Sequence, residues 1–187
     1  RLKSHFGLGA DDDEALRQAL GVDIRGVAAA YLGPKRHEDI PERGVKVDEW
    51  GLHRRWIEHE SGGYWDYCDF PLRVATVEEV AAWPLPSPDD YDYSGIEDAC
   101  KEYEEYAIFV GSMGLCDVIN KNGMLCGMEQ TLVNLITDDP AGSLLTERRV
   151  QIALEVTERS IEAANGRYDF LWMGDDLGSQ NAPLISL

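Results

Sequence analysis

No apolar run in this chain is long enough to span a bilayer, and no signal-peptide pattern opens it, so neither a membrane partner nor a secretory leader is expected. Cysteine is sparse. Cys68, Cys100, Cys116 and Cys126 form no C-x-x-C pair, and no histidine stands at zinc-finger spacing from any of them. Reduced thiols in a cytoplasmic protein are therefore expected in place of a disulfide framework. Basic residues are scarce too: 17 Lys and Arg stand against 35 Asp and Glu, for a formal charge of −18. Such a surface repels phosphate backbones, which excludes nucleic acid as the expected partner. The acids are spread along the chain, as on a well-solvated surface, and do not form a tail. Phosphate-binding glycine signatures are missing: Gly111-Ser112-Met113-Gly114 is neither a G-x-G-x-x-G fingerprint nor a Walker loop. No Ser-His-Asp or Cys-His set can be assembled, and no repeat or low-complexity segment is found. The first residue is not Met, so a leading segment is expected to be missing.

What is present suits one packed domain: 187 residues with a hydrophobic content of 44%. Arg1 to Gly9 reads as a loop or strand exit. Asp11 to Glu14 opens a short helix with acids at its N-terminus, and Gly21 stops it. Val22 to Val27 is a candidate strand, and Gly33 to Gly44 a charged excursion. Val45–Gly51 and Arg54–Glu58 alternate as in a hairpin. Thr76 with Glu79 predicts a capping box on a short helix to Ala82. Tyr93–Tyr106 is predicted helical and Ala107–Gly111 a buried strand. Gly127–Thr137 and Pro140–Asn165 are two further helices, with Gly166 as the stop of the second. Phe170-Leu171-Trp172-Met173 is a last buried strand, followed by Gly174-Asp175-Asp176. From Tyr93 onward the alternation predicts parallel α/β units. The expected fold is α/β, a (β/α)8 TIM-barrel-like architecture of which this chain holds the amino-terminal portion, since a closed barrel needs about 250 residues.

The candidate chemistry lies at strand ends. Asp175 and Asp176 directly follow an apolar run, and adjacent residues on extended backbone point to opposite sides. One can face a barrel mouth as a carboxylate for substrate binding or proton transfer, while the other caps a helix or meets a base. The alternative is an Asp pair that only caps and solvates. Gln180 is an amide contact candidate in the same loop. Asp117 and Asn120, in the Gly- and Asn-containing loop after the Ala107–Gly111 strand, are further contacts. Asp48-Glu49-Trp50-Gly51 and Tyr64-Trp65-Asp66-Tyr67 place aromatics beside carboxylates, either as a wall for a flat or cationic ligand or as packing of the excursion. Of the histidines only His5, beside Phe6-Gly7, is a candidate to face the site.

These segments together resemble the uroporphyrinogen decarboxylase superfamily. The matching pieces are His5-Phe6-Gly7-Leu8, Leu20-Gly21-Val22-Asp23, Val47-Asp48-Glu49-Trp50-Gly51, Gly62-Gly63-Tyr64-Trp65-Asp66, Gly174 to Gln180, and Pro183-Leu184-Ile185-Ser186. The likeness is closest to the divergent branch that accompanies corrinoid-dependent methyl transfer, and it spans the amino-terminal part of the family's length. It implies a (β/α)8 barrel and a small-molecule substrate. In the methyltransferase members it also implies a corrinoid protein as partner, and zinc held by a His-x-Cys pair and a later Cys in the carboxy-terminal half. None of those zinc ligands is in this chain, so no metal residue is assigned. A homo-oligomer is compatible with the pattern.

The expected activity is thus methyl transfer to a small-molecule acceptor, with Asp175, Asp176 and Gln180 lining the mouth and Asp117, Asn120, Tyr64 and Trp65 contributing. Tetrapyrrole decarboxylation is the second expectation: a mouth Asp would hydrogen-bond pyrrole N–H groups and stabilise developing charge. The arginine-rich signature of the decarboxylase is not found here. A charge of −18 also suits a substrate with many carboxylates poorly, unless the cleft is locally basic. A non-catalytic ligand-binding protein of the same fold is the third.

Overall fold

The computed structural model describes residues 2–112, 115 and 117–183. In chain order these form α1 (Leu2–His5), α2 (Asp13–Ala19), β1 (Ile24–Gly26), β2 (Ala30–Tyr31), β3 (Val45–Val47), β4 (His53–His59) and β5 (Gly62–Tyr67). There follow α3 (Val77–Ala82), β6 (Tyr91–Asp92), α4 (Ile96–Glu102), β7 (Ala107–Gly111), α5 (Val118–Cys126), α6 (Met128–Ile136), α7 (Pro140–Ala163) and β8 (Phe170–Trp172). β1, β7 and β8 make a parallel sheet in that order. β3, β4 and β5 make an antiparallel meander, and β2 pairs with β6. The fold is mixed α/β, and the strands of the described residues close no barrel. No helix among them is long and apolar enough to cross a membrane.

The two faces of the parallel sheet follow from strand alternation. Ile108 and Val110 point one way and are buried, at 3% and 4% exposure. Ile108 packs there with Ile96 and Cys100 of α4 and with Ala164 just after α7. Phe109 points the other way, where its ring stacks on Phe170 at 5.5 Å and meets Trp172 edge-on at 5.1 Å. Gly26 makes room for that ring: a Cβ on it would lie 2.8 Å from the tip of Phe109. Arg25 is buried on the helix side, held by hydrogen bonds to Glu14 of α2 (2.6 and 2.9 Å), with its guanidinium 3.7 Å from the centre of the Tyr106 ring.

A second core lies under the meander, where Leu52, Leu72, Val80, Leu125, Cys126, Ala141 and Leu145 come together. The helix α7 joins the two cores. Its first turns put Ala141 and Leu145 into the second, and its end brings Ala163 and Ala164 to the first. Asp139 caps it by accepting from the Gly142 N–H at 2.8 Å, with Pro140 at the first helical position. The predicted capping box on α3 is present: Thr76 Oγ1 accepts from the Glu79 N–H, and Glu79 accepts from the Thr76 N–H.

Several elements differ from expectation. Phe170–Trp172 is a strand but not a buried one, since it lies at the edge of the parallel sheet and Phe170 and Leu171 are 40% and 44% exposed. Ala30–Tyr31 and Tyr91–Asp92, read as loop and connection, pair as short antiparallel strands. Gly62–Tyr67 is a full third strand, because its alternating side chains pair with β4 residue by residue, Trp65 opposite Trp56. Residues 118–126 are helical where a loop was expected. Gly123 is tolerated inside α5 because Met128 packs against the space where a side chain would be. The segment around His5 is a helical turn, Leu2–His5, and not a strand exit. The loop pieces Met113-Gly114, Cys116 and Leu184-Ile185-Ser186 lie outside the described residues.

At the C-terminal end of the sheet, Gly111 has φ +98°, and a Cβ there would lie 2.1 Å from the Trp172 carbonyl oxygen. Gly44 shares the positive φ (+63°) but has open space around it. Gly111→Ala is therefore expected to lose more stability than Gly44→Ala, by at least about 1 kcal/mol in chemical denaturation, since strand separation adds to backbone strain. Equal losses would show that the close approach of β8 to β7 does not matter.

Candidate functional site

Four of the residues singled out in the sequence meet just beyond the C-terminal ends of β7 and β8. Two backbone contacts bring the loops together. Asp169 clamps the start of β8 to β7, its N–H donating to the Ile108 carbonyl (2.8 Å) and its Oδ2 accepting from the Ile108 N–H (2.7 Å). At the other end the Gly174 N–H donates to the Leu115 carbonyl (3.2 Å). The next two residues, Asp175 and Asp176, are thereby carried to the N-terminus of α5.

Asp117 caps α5, its Oδ1 accepting from the Asn120 N–H (3.0 Å). The Asn120 amide in turn donates to Asp117 Oδ2 (3.1 Å) and to Asp176 Oδ2 (3.4 Å). Asp175 Oδ2 accepts from the Val118 N–H (3.3 Å), and its Oδ1 from the Asp176 N–H (2.9 Å). The two expected roles of the pair are thus merged: Asp175 caps a helix, one that precedes it in the chain, and still faces the strand-end cluster. Neither Asp meets a basic partner through any of these bonds.

Three carboxylates around one helix N-terminus repel each other. Asp175 shows the result. Much of the residue is exposed, but its carboxyl end is tucked between the start of α5 and Asp117. Partial burial and then a shared hydrogen bond with Asp117 push its pKa above the ordinary carboxylate value, against the Val118 and Asp176 N–H groups that pull it down.

The remaining candidates are elsewhere. Gln180 is exposed in the turn closed by the Gly178–Pro183 bridge, and no hydrogen bond among the described residues joins it to the cluster. His5 is exposed at the end of α1 and touches Phe6, ring to ring, at 5.2 Å. Tyr64 and Trp65 stand on β5, where Trp65 packs on Trp56 (5.8 Å) and carries Lys46 over its ring (4.6 Å). These contacts stay within the meander, and Trp56, Tyr64 and Trp65 are 46%, 52% and 41% exposed, so the cluster is not packed against the rest of the chain.

The aromatic residue that does reach the acid cluster is Trp50. Asp48 folds the turn that carries it, its Oδ1 accepting from the Trp50 (3.1 Å) and Leu52 (2.9 Å) N–H groups, with Gly51 at φ +82°. Trp50 and Asp117 share a cavity of about 40 Å³ with Lys121, Asn122 and Arg149. Arg149 was missed in the sequence, although the signal is there. Ala141, Leu145 and Arg149 recur every four residues, so the apolar stripe of α7 runs straight into a guanidinium. A larger cavity, about 350 Å³ between α5, α6 and α7, lies away from the strand ends.

Among the described residues no group of three or more His, Cys, Asp and Glu is arranged to hold a metal ion. The thiols there are poor ligands as they stand, because burial raises the pKa of Cys68, Cys100 and Cys126, the last to about 11. The zinc ligands that the resemblance implies lie in the carboxy-terminal half of the family's length, and no described residue is assigned to them. No family model matches the chain, and comparison with curated proteins and with solved structures finds no match.

The raised pKa of Asp175 has a stability consequence of definite sign. The stabilisation from its bound proton is fully present below the unfolded-state value of about 3.9 and is lost as pH rises through the higher folded value. Asp175→Asn keeps the shape and cannot ionise. Its thermal midpoint is expected to gain on the wild type as pH climbs above about 4 and to level off once pH has passed the folded value. A difference that does not change with pH would mean that Asp175 titrates as an ordinary exposed Asp.

Proposed function

We propose that the chain belongs to an enzyme of the uroporphyrinogen decarboxylase superfamily, in its methyltransferase branch, and that its three parallel strands are consecutive strands of a (β/α)8 barrel. The substrate is a small molecule taken at the mouth, and a corrinoid protein is the methyl donor. One observation carries the reading. Asp117, Asn120, Asp175 and Asp176 converge beyond the carboxyl ends of two adjacent parallel strands, the place where α/β enzymes bind ligands and do chemistry.

At that place the residues have separable tasks. Asp117 and Asn120 orient one another and present Asp176 Oδ2 as an acceptor for an N–H or cationic group. Asp175 holds or accepts the proton that an acceptor molecule gives up as it takes a methyl group. Zinc, where the superfamily's methyltransferases bind it, supplies a more nucleophilic acceptor. No described residue is assigned to it.

The test is methyl transfer by the full-length protein from methylcobalamin to a small thiol, followed by loss of the methylcobalamin absorbance. The Asp175→Ala, Asp176→Ala double variant, with its fold checked by circular dichroism, is expected to lose about 100-fold or more in rate. A wild-type rate in that variant would sink the proposal. Formation of coproporphyrinogen from uroporphyrinogen, without methyl transfer, would replace it with the carboxy-lyase reading.

A further inference from the structure

Arg149 is 7% exposed, and no carboxylate among the described residues pairs with it. One bond defines its position: Nη1 donates to Asn122 Oδ1 at 2.7 Å. Asn122 is itself held from the other side, its Nδ2 donating to Thr146 Oγ1 (2.7 Å), which donates on to the Gly142 carbonyl (2.9 Å). The Trp50 ring centre lies 5.5 Å from the guanidinium carbon. Nε has no hydrogen-bond partner.

The nearest acids are engaged elsewhere. Asp48 binds Arg54 at 3.3 Å and the backbone of its own turn, and Asp117 is shared by Asn120 and Asp175. Burial lowers the pKa of Arg149 to about 10, so it is still a cation at neutral pH. A buried cation with an orphaned donor is costly unless something completes it. The cavity beside it, walled by Trp50, Asp117, Lys121 and Asn122, measures about 40 Å³. By a measure in which one water needs roughly 10–15 Å³, that is room for about three heavy atoms.

We infer that Arg149 is an anchor for the carboxylate of a small ligand, which enters the cavity beside Trp50 and pairs with the guanidinium that helps to wall it. Planar carboxylates match the guanidinium edge. Asn122 is a positioning residue, since it sets the guanidinium plane through Nη1. Asp117 lines the same cavity, so the rest of the ligand lies towards the acid cluster. The inference stands whether or not the reaction is methyl transfer.

The probes are sodium acetate, sodium phosphate and sodium chloride at matched ionic strength, read by the thermal midpoint of the full-length protein. Acetate is expected to raise the midpoint saturably, and chloride and phosphate are not. Arg149→Met should abolish the rise, and Arg149→Lys, which keeps charge without the fork, should weaken acetate binding about tenfold. Asp175→Asn should keep the response, which separates this test from that of the acid cluster. The inference is overturned if acetate has no effect, if phosphate alone acts, or if acetate binds a folded Arg149→Lys protein as tightly as the wild type.

Discussion

The distance at which β8 can lie beside β7 governs the candidate site. Both strands bring residues to their C-terminal ends, but the residues meet only because Gly111 lets the Trp172 carbonyl approach where a Cβ would stand. Asp169 sets the register at one end and Gly174 at the other. Between these ties the side chains alternate, with Phe109, Phe170 and Trp172 on one face and Ile108 and Val110 on the other. A slip of one residue would exchange those faces and move Asp175 away from α5.

The site also depends on what α7 carries. One long helix supplies Leu145 to one core and Ala163 to the other, so the position of Arg149 along it is fixed from both ends. The surroundings of this arginine contrast with those of Arg25. Arg25 has Glu14 and two aromatic rings, the full set that a buried guanidinium needs. Arg149 has an amide and one ring, with Nε left over. The first arrangement is complete as a structural tie. The second leaves the cation without a carboxylate partner among the described residues.

Two opposite charges therefore border one small space. On one side, Asp117, Asp175 and Asp176 gather at a helix N-terminus; on the other, Arg149 has no carboxylate partner among the described residues.

Much of this was legible from residues alone. The strands at Ala107–Gly111 and Phe170–Trp172, the capping box at Thr76, the long helix and the position of Asp175, Asp176, Asp117 and Asn120 after strand ends all follow from local patterns of apolarity, glycine and short polar side chains. The helix at Val118–Cys126 was hidden because Asn120, Asn122 and Gly123 are weak helix formers, outweighed here by the burial of Ile119, Leu125 and Cys126. Long-range partners were not legible. Tyr64 and Trp65 carry the same aromatic-acid signature as Trp50, and only packing through the Asp48 turn decides that Trp50 reaches the acids. The sequence determined which segments alternate, where helices start and which strand tips are acidic, because those depend on neighbours a few residues away. Tertiary structure alone decided that Asp175 would cap α5 from 57 residues off and that Arg149 would be buried without an acid, because both depend on which surfaces come together when the sheet and α7 pack.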